Sequence, residues 1–171
     1  MLSDERIKEA ERNIRSYLSD GMLKKERFRE IVFKTYLRNH RESLLIARKL
    51  FNEKSSNLWV IVISYYSMFY LANALLYKIG YKIGPKVAHK VTADALIVFV
   101  KNKLRDNLIE EYELASGEAL TLSDNILQGY DLERTKRAVF QYESTEEIKA
   151  SKAKTSLERA ELFSKEVEKM I

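Results

Sequence analysis

The chain has no cysteine, one proline, five glycines and two histidines in 171 residues. Without cysteine there is no disulfide framework, thiolate metal site or thiol nucleophile. Two histidines, His40 and His89, are too few for a His-rich metal site, so no metal and no cofactor is expected. So little glycine and proline leaves scant material for the tight turns of an all-β fold. The opening, MLSDERIKEAERNIRSYL, is charged from its fourth residue and lacks the apolar core of a signal peptide, so a cytoplasmic protein is expected. No P-loop, G-x-G-x-x-G, carboxylate–histidine metal spacing or nucleophile elbow occurs.

Charge is plentiful, at 32% of residues, with a net of +5. It is also segregated. Residues 78–105 hold Lys78, Lys82, Lys86, Lys90, Lys101, Lys103 and Arg105 against one acid, Asp94. Residues 106–133 hold eight acids and no lysine or arginine. Such a division suggests a basic face able to meet phosphate or an acidic partner, although solvated helix faces also give charge runs.

Apolar spacing is helical nearly throughout, so an all-α single domain over 1–171 is expected. Residues 4–18 read as a short charged helix. Residues 23–53 read as a long one, with Phe33, Leu37, His40, Leu44, Ala47 and Phe51 drawing one stripe. The next stretch, Ser55 to Tyr77, contains no charged side chain at all. It is long enough to span a bilayer. Its polar residues Ser64, Tyr65, Tyr66, Ser67, Tyr70 and Asn73 lie mid-segment, whereas tyrosines in spans gather at the interfaces, so a central core helix and no membrane are expected.

Pro85 suits the first turn of a further helix to about residue 103, and the doubled YKIG before it is too short to be a structural repeat. Residues 106–133 read as a helix near 107–115, a break at Ser116-Gly117 and a further turn or two. Gly129 precedes a helix near 131–141. Ser144 and Glu147 form a capping box opening the last helix, whose buried face is Ala153, Leu157, Ala160, Phe163 or Ser164, Val167 and Ile171.

Three groups of residues carry chemistry. His89, with Lys86 and Lys90, sits at a helix start, where free N–H groups attract anions, so a phosphate or nucleotide would suit it. The bland alternative is a loop histidine bonding its own helix end. Arg134 and Arg137 share a helix face and could clamp phosphate, with Tyr142 nearby; ordinary ion pairs with Glu133 or the acids of 106–124 are the alternative. Tyr65 and Tyr66 could stack bases if their helix is open to solvent, and are core packing otherwise. His40, on the apolar stripe, reads as a satisfied core histidine flanked by solvated Arg38 and Arg41.

The stretch ISYYSMFYLANALLYKIGYKIGPKVAHKVTADAL, residues 63–96, resembles the signature helix pair of HEPN domains (higher eukaryotes and prokaryotes nucleotide-binding). In the archaeal and bacterial single-domain branch, an AYYAMF-A-ALL--KG helix leads to a K-H loop. The end of the chain, with Arg134, Arg137 and Tyr142 and then Ala153, Leu157, Ala160 and Phe163, is similar to that branch's closing pattern. With LLIARKLF at 44–51, the likeness covers roughly residues 35–170. It implies an antiparallel, up-down bundle of four main helices with additional short ones, commonly a homodimer. It also implies a minimal nucleotidyltransferase partner in a toxin–antitoxin-like pair, and binding of nucleotide or RNA.

Many HEPN proteins are metal-independent ribonucleases using R-x4-6-H, and this chain lacks that motif. The positions that His40 would require hold Phe33, Lys34 and Thr35; those that His89 would require hold Lys82, Ile83 and Gly84. Arg137 is followed at the x4 distance by Tyr142, a poor base at neutral pH. A nucleotide- or RNA-binding module is therefore expected. A ribonuclease with a non-standard catalytic set of His89, Arg134 and Arg137 is one alternative, and a non-catalytic structural adaptor is the other.

Overall fold

A computed structural model describes residues 2–135 and 148–171, without side-chain detail for residues 106 and 125–135. Among the described residues there are six α-helices, one 3-10 turn and two three-residue strands. The chain runs α1 (Asp4–Ser19), β1 (Leu23–Lys25), α2 (Glu30–Asn52), α3 (Asn57–Lys78), β2 (Tyr81–Ile83), α4 (Ala88–Val100), α5 (Asp106–Thr135), α6 (Ala150–Val167) and the turn Glu168–Met170. This is an all-α helical bundle.

The uncharged segment forms α3. Ser56 caps it, its hydroxyl accepting from the Trp59 N–H at 3.3 Å, and Gly80 beyond its end takes a φ of +97° that suits glycine. Helices α2, α4, α5 and α6 all pack on it. It is long and apolar enough to cross a membrane, yet most of it is buried by the rest of the chain. Burial at Val60, Ile61, Tyr65, Met68, Leu71, Ala72, Leu75 and Leu76 faces several neighbours at once, which explains the absence of charge on any side. The stripe of α2 turns His40, Leu44 and Ala47 into the core, and Arg38 and Arg41 outward. The buried face of α6 comprises Ala153, Ser156, Leu157, Ala160, Phe163, Ser164 and Val167, largely as its spacing suggests, while Ile171, expected on that face, lies beyond the helix and is half-buried.

Two helix starts differ from expectation, each for a tertiary reason. Residues 23–25 extend the chain rather than begin α2, because they pair antiparallel with 81–83: Leu23 opposite Ile83, Lys24 opposite Lys82 and Lys25 opposite Tyr81. Helix α2 waits until Glu30. The Tyr77 hydroxyl accepts from the Arg29 N–H and donates to the Arg27 carbonyl, both at 3.2 Å, holding its entry in place. Pro85 does not start α4. Gly84 first donates its N–H to the Met22 carbonyl at 2.7 Å, and α4 begins at Ala88 after Val87 takes a left-handed φ of 45°.

The largest departure is in the acidic segment, which is one continuous helix through Ser116, Gly117 and Gly129. An interior glycine costs about 1 kcal/mol of helix propensity. That cost is outweighed by a buried stripe of Leu108, Ile109, Tyr112, Ala115 and Ala119. Gly117 itself faces open space. The last helix runs over Ala150–Val167; the Ser144–Glu147 capping box and most of the helix expected near 131–141 lie outside the described residues.

Helix α1 is held by charge as much as by grease. Arg6 donates to the Asp94 carboxylate on α4 at 2.6 Å and to Glu113 on α5 at 2.6 and 3.0 Å. The other Asp94 oxygen accepts from Asn13 at 2.9 Å and from the Tyr17 hydroxyl at 3.0 Å. Asp94 is fully buried. Burial opposes the Arg6 charge, but the Asp94 and Glu113 carboxylates outweigh it and hold the guanidinium above its ordinary pKa. Burial, reinforced by Asp94, pushes the Tyr17 phenol up to about 12.

Removing one member of such a network leaves the others buried and unpaired. Asp94→Ala is expected to destabilise the protein by about 3 kcal/mol or more in urea unfolding. Tyr17→Phe, which leaves Asn13 and Arg6 in place, should cost only about 1 kcal/mol. Equal effects from the two substitutions would show that Asp94 is not the centre of the network.

Candidate functional site

His89 occupies the first turn of α4, opposite the middle of α3. No side chain caps this helix start, and the residue before it, Val87, is exposed and β-branched in the left-handed region, a strained choice that glycine or asparagine would relieve. The first backbone N–H groups of a helix lack intrahelical partners, so this end is positive and open. Lys86 and Lys90 beside it are exposed and form no ion pair among the described residues. Lys82, by contrast, is engaged by Glu26 at 3.3 Å.

The imidazole lies within a group of aromatic rings supplied by α3. Its ring centroid is 4.5 Å from that of Phe69, 5.7 Å from Tyr66 edge to face, and 5.5 Å from Tyr65. Tyr70 continues the group, 6.2 Å from Tyr66 and 5.9 Å from Phe69. Tyr66, Phe69 and Tyr70 are half-buried, so part of each ring remains accessible. The spacing of 66, 69 and 70 puts them on one side of α3, and His89 meets that side from α4.

Tyr65 behaves differently from its neighbour. Its ring is buried, at 1% exposure, and its hydroxyl sits 2.6 Å from His89 Nδ1. Ser116 of α5 donates its hydroxyl hydrogen to the same phenol oxygen at 3.0 Å. Tyr65 therefore presents no stacking face, and reaches a ligand only through His89. Its pKa is pushed up to about 12 by burial. Burial pulls the His89 imidazole below its ordinary value, favouring the neutral ring.

Of the residues singled out from sequence, His89, Lys86, Lys90, Tyr65 and Tyr66 come together on this surface. The Arg134 side chain, Arg137 and Tyr142 lie outside the described residues. The acids of 106–124 expected as partners for those arginines are partly spoken for: Glu113 pairs with Arg6, and Glu111 and Glu118 pair with Arg159 of α6. Phe69, Tyr70 and Ser116 were not singled out. Phe69 and Tyr70 have the same period as the core residues around them, and Ser116 lies where the helix was expected to break. An open groove of about 690 Å³ runs along α2, lined by Phe28, Ile31, Phe33 and Leu37 with Lys34, Arg38 and Arg41. It contains none of the candidate residues.

His40 is a core histidine. Its Nδ1 lies 3.0 Å from the Ser67 carbonyl and 2.9 Å from the Ser67 hydroxyl, and Nε2 is 3.7 Å from the exposed Glu168. Burial depresses its pKa despite the favourable Ser67 carbonyl and Glu168. No group of three or more potential metal-ligating side chains is present among the described residues. Comparison with known proteins returns no match to a family model, a curated protein or a solved structure.

Both histidines are held neutral in the fold, whereas in the unfolded chain they take up a proton near their ordinary pKa of about 6.5. Below that pH the unfolded state binds more protons, so stability is expected to fall on acidification. The urea midpoint should drop between about pH 7.5 and about pH 5.5, before the carboxylates titrate. His40→Gln should flatten that drop; a wild-type midpoint unchanged over the window would contradict the assignment.

Proposed function

We propose that the chain is a HEPN-like nucleotide- or RNA-binding module, acting in the cytoplasm as a homodimer alongside a minimal nucleotidyltransferase in a toxin–antitoxin-type pair. The observation that carries the binding half is the convergence at the start of α4: accessible rings of Tyr66, Phe69 and Tyr70, the His89 imidazole, and exposed Lys86 and Lys90 at an uncapped helix end. Aromatic faces accept bases of any identity, and lysines with free N–H groups accept phosphate. His89 links the two requirements of a single-stranded nucleic acid, touching the rings of α3 and lying between the two lysines in sequence. Dimerisation and the nucleotidyltransferase partner rest on the sequence resemblance.

A metal-independent ribonuclease is the second reading, supported by the Tyr65–His89 pair at 2.6 Å. An imidazole whose Nδ1 is engaged by a hydroxyl carries its proton on Nε2, from which it can donate to a leaving oxygen. The adaptor reading draws less support, since Glu111, Glu113 and Glu118 of the acidic segment are turned to arginines of the same chain.

Fluorescence anisotropy with a single-stranded RNA oligomer at low and high salt tests the proposal. Affinity should fall steeply with salt, and the double variant Lys86→Glu/Lys90→Glu should weaken it by about tenfold or more. Tyr66→Ala should remove about 1–3 kcal/mol of stacking. Salt-independent or absent binding would overturn the reading. Cleavage of the oligomer that persists in EDTA and vanishes in His89→Ala would instead establish the ribonuclease.

A further inference from the structure

The hydrogen-bond chain behind His89 has a direction. Ser116 donates into the Tyr65 oxygen at 3.0 Å, and Tyr65 is 2.6 Å from His89 Nδ1. A phenol carries one hydrogen. Between a phenol and an imidazole, the phenol O–H is the stronger acid and the ring nitrogen the stronger base, so that hydrogen belongs in the short bond to Nδ1. Tyr112 packs against Tyr65, with ring centroids 5.8 Å apart. Its hydroxyl is fully buried and makes no hydrogen bond of good geometry with the described residues. Ser116 donates to the Tyr65 oxygen and the Tyr112 hydroxyl interacts with it, so His89 is the group placed to take the Tyr65 hydrogen.

We propose that Tyr65 is a positioning residue which holds His89 as its Nε2–H tautomer, so that the site meets its ligand with a neutral N–H donor backed by a hydroxyl chain from α5. With Nδ1 engaged as an acceptor, the only imidazole proton is on Nε2, the nitrogen not committed to the protein interior. A neutral N–H donor suits an acceptor-rich ligand, a phosphoryl oxygen or a base carbonyl. It does not suit general-base removal of a ribose 2′-OH proton, which needs a free lone pair on that nitrogen. The inference rests on the nucleotide-binding reading for its ligand, but not for its geometry. Ser116 and Tyr65 are acting through His89 here, and neither touches the ligand.

Nitrogen-15 NMR of the histidine ring in the intact protein reads the tautomer without any ligand. The wild type should show Nε2 protonated and Nδ1 bare at neutral pH. Tyr65→Phe should give a mixture of the two tautomers, and Ser116→Ala, a milder change on a half-exposed helix face, a smaller shift in the same direction. In parallel, titration with adenosine 5′-monophosphate should show Tyr65→Phe weakened by about 3- to 10-fold, the value of one neutral hydrogen bond. A wild-type ring protonated on Nδ1 would overturn the proposal, whether or not the tyrosine variant folds. So would a tautomer unchanged in both variants. The expected tautomers with no binding of the nucleotide would uphold the positioning role and sink the nucleotide reading alone.

Discussion

Burial of one helix on nearly every side is the constraint from which the rest of this structure follows. Helix α3 has helices against it in several directions, so any polar group it carries must find a partner inside the protein. Several find it on other elements. The carbonyl and hydroxyl of Ser67 engage His40 of α2. Asn73 reaches Thr92 of α4 at 3.3 Å. Tyr65 joins His89 of α4 and Ser116 of α5, and Tyr77 ties down the entry to α2. Apolar burial is non-directional and would tolerate many rotations of the surrounding helices; these bonds select one. The exception is the Ser64 hydroxyl, which is buried with no partner among the described residues.

The same logic places the candidate site. The rings of Tyr66, Phe69 and Tyr70 belong to half-buried positions of α3, beside its buried face. Helix α4 crosses there because Asp94, two turns after its start, is clamped by Arg6, Asn13 and Tyr17 from α1. The strand pair between β1 and β2 then fixes the approach of the chain to α4. His89 is accordingly held from both sides: by the fold of its own helix, and by the phenol behind it. A preorganised donor loses little conformational freedom when a ligand arrives.

Much of this was legible in the residues. The core faces of α2, α3 and α6 follow from apolar period alone, and His40 declares itself by sitting on a stripe between Leu37 and Leu44. The grouping of His89 with Lys86 and Lys90 is local, so sequence proximity was enough. What stayed hidden was long-range. Asp94 looked like a lone acid in a basic segment, and nothing nearby in the chain hints that its partners are Arg6, Asn13 and Tyr17. The Tyr65–Ser116 contact spans 51 positions, and it falls where a serine-glycine pair suggested the end of a helix.

The doubled tetrapeptide Tyr77–Gly80 and Tyr81–Gly84 draws the line between the two kinds of information. Its copies are identical, yet the first closes α3 with Tyr77 buried against the entry to α2. The second is strand β2, with Tyr81 stacked on Phe99 at 4.1 Å. Composition and period by themselves determined that the chain is all-α, that its uncharged segment is a helix, and which faces are apolar, because these depend on residues three and four apart. Only the tertiary structure decided where helices begin, which carboxylate is buried, and which hydroxyl stands behind His89. Those outcomes depend on partners dozens of residues away, whose burial outweighs the local preference of any four residues.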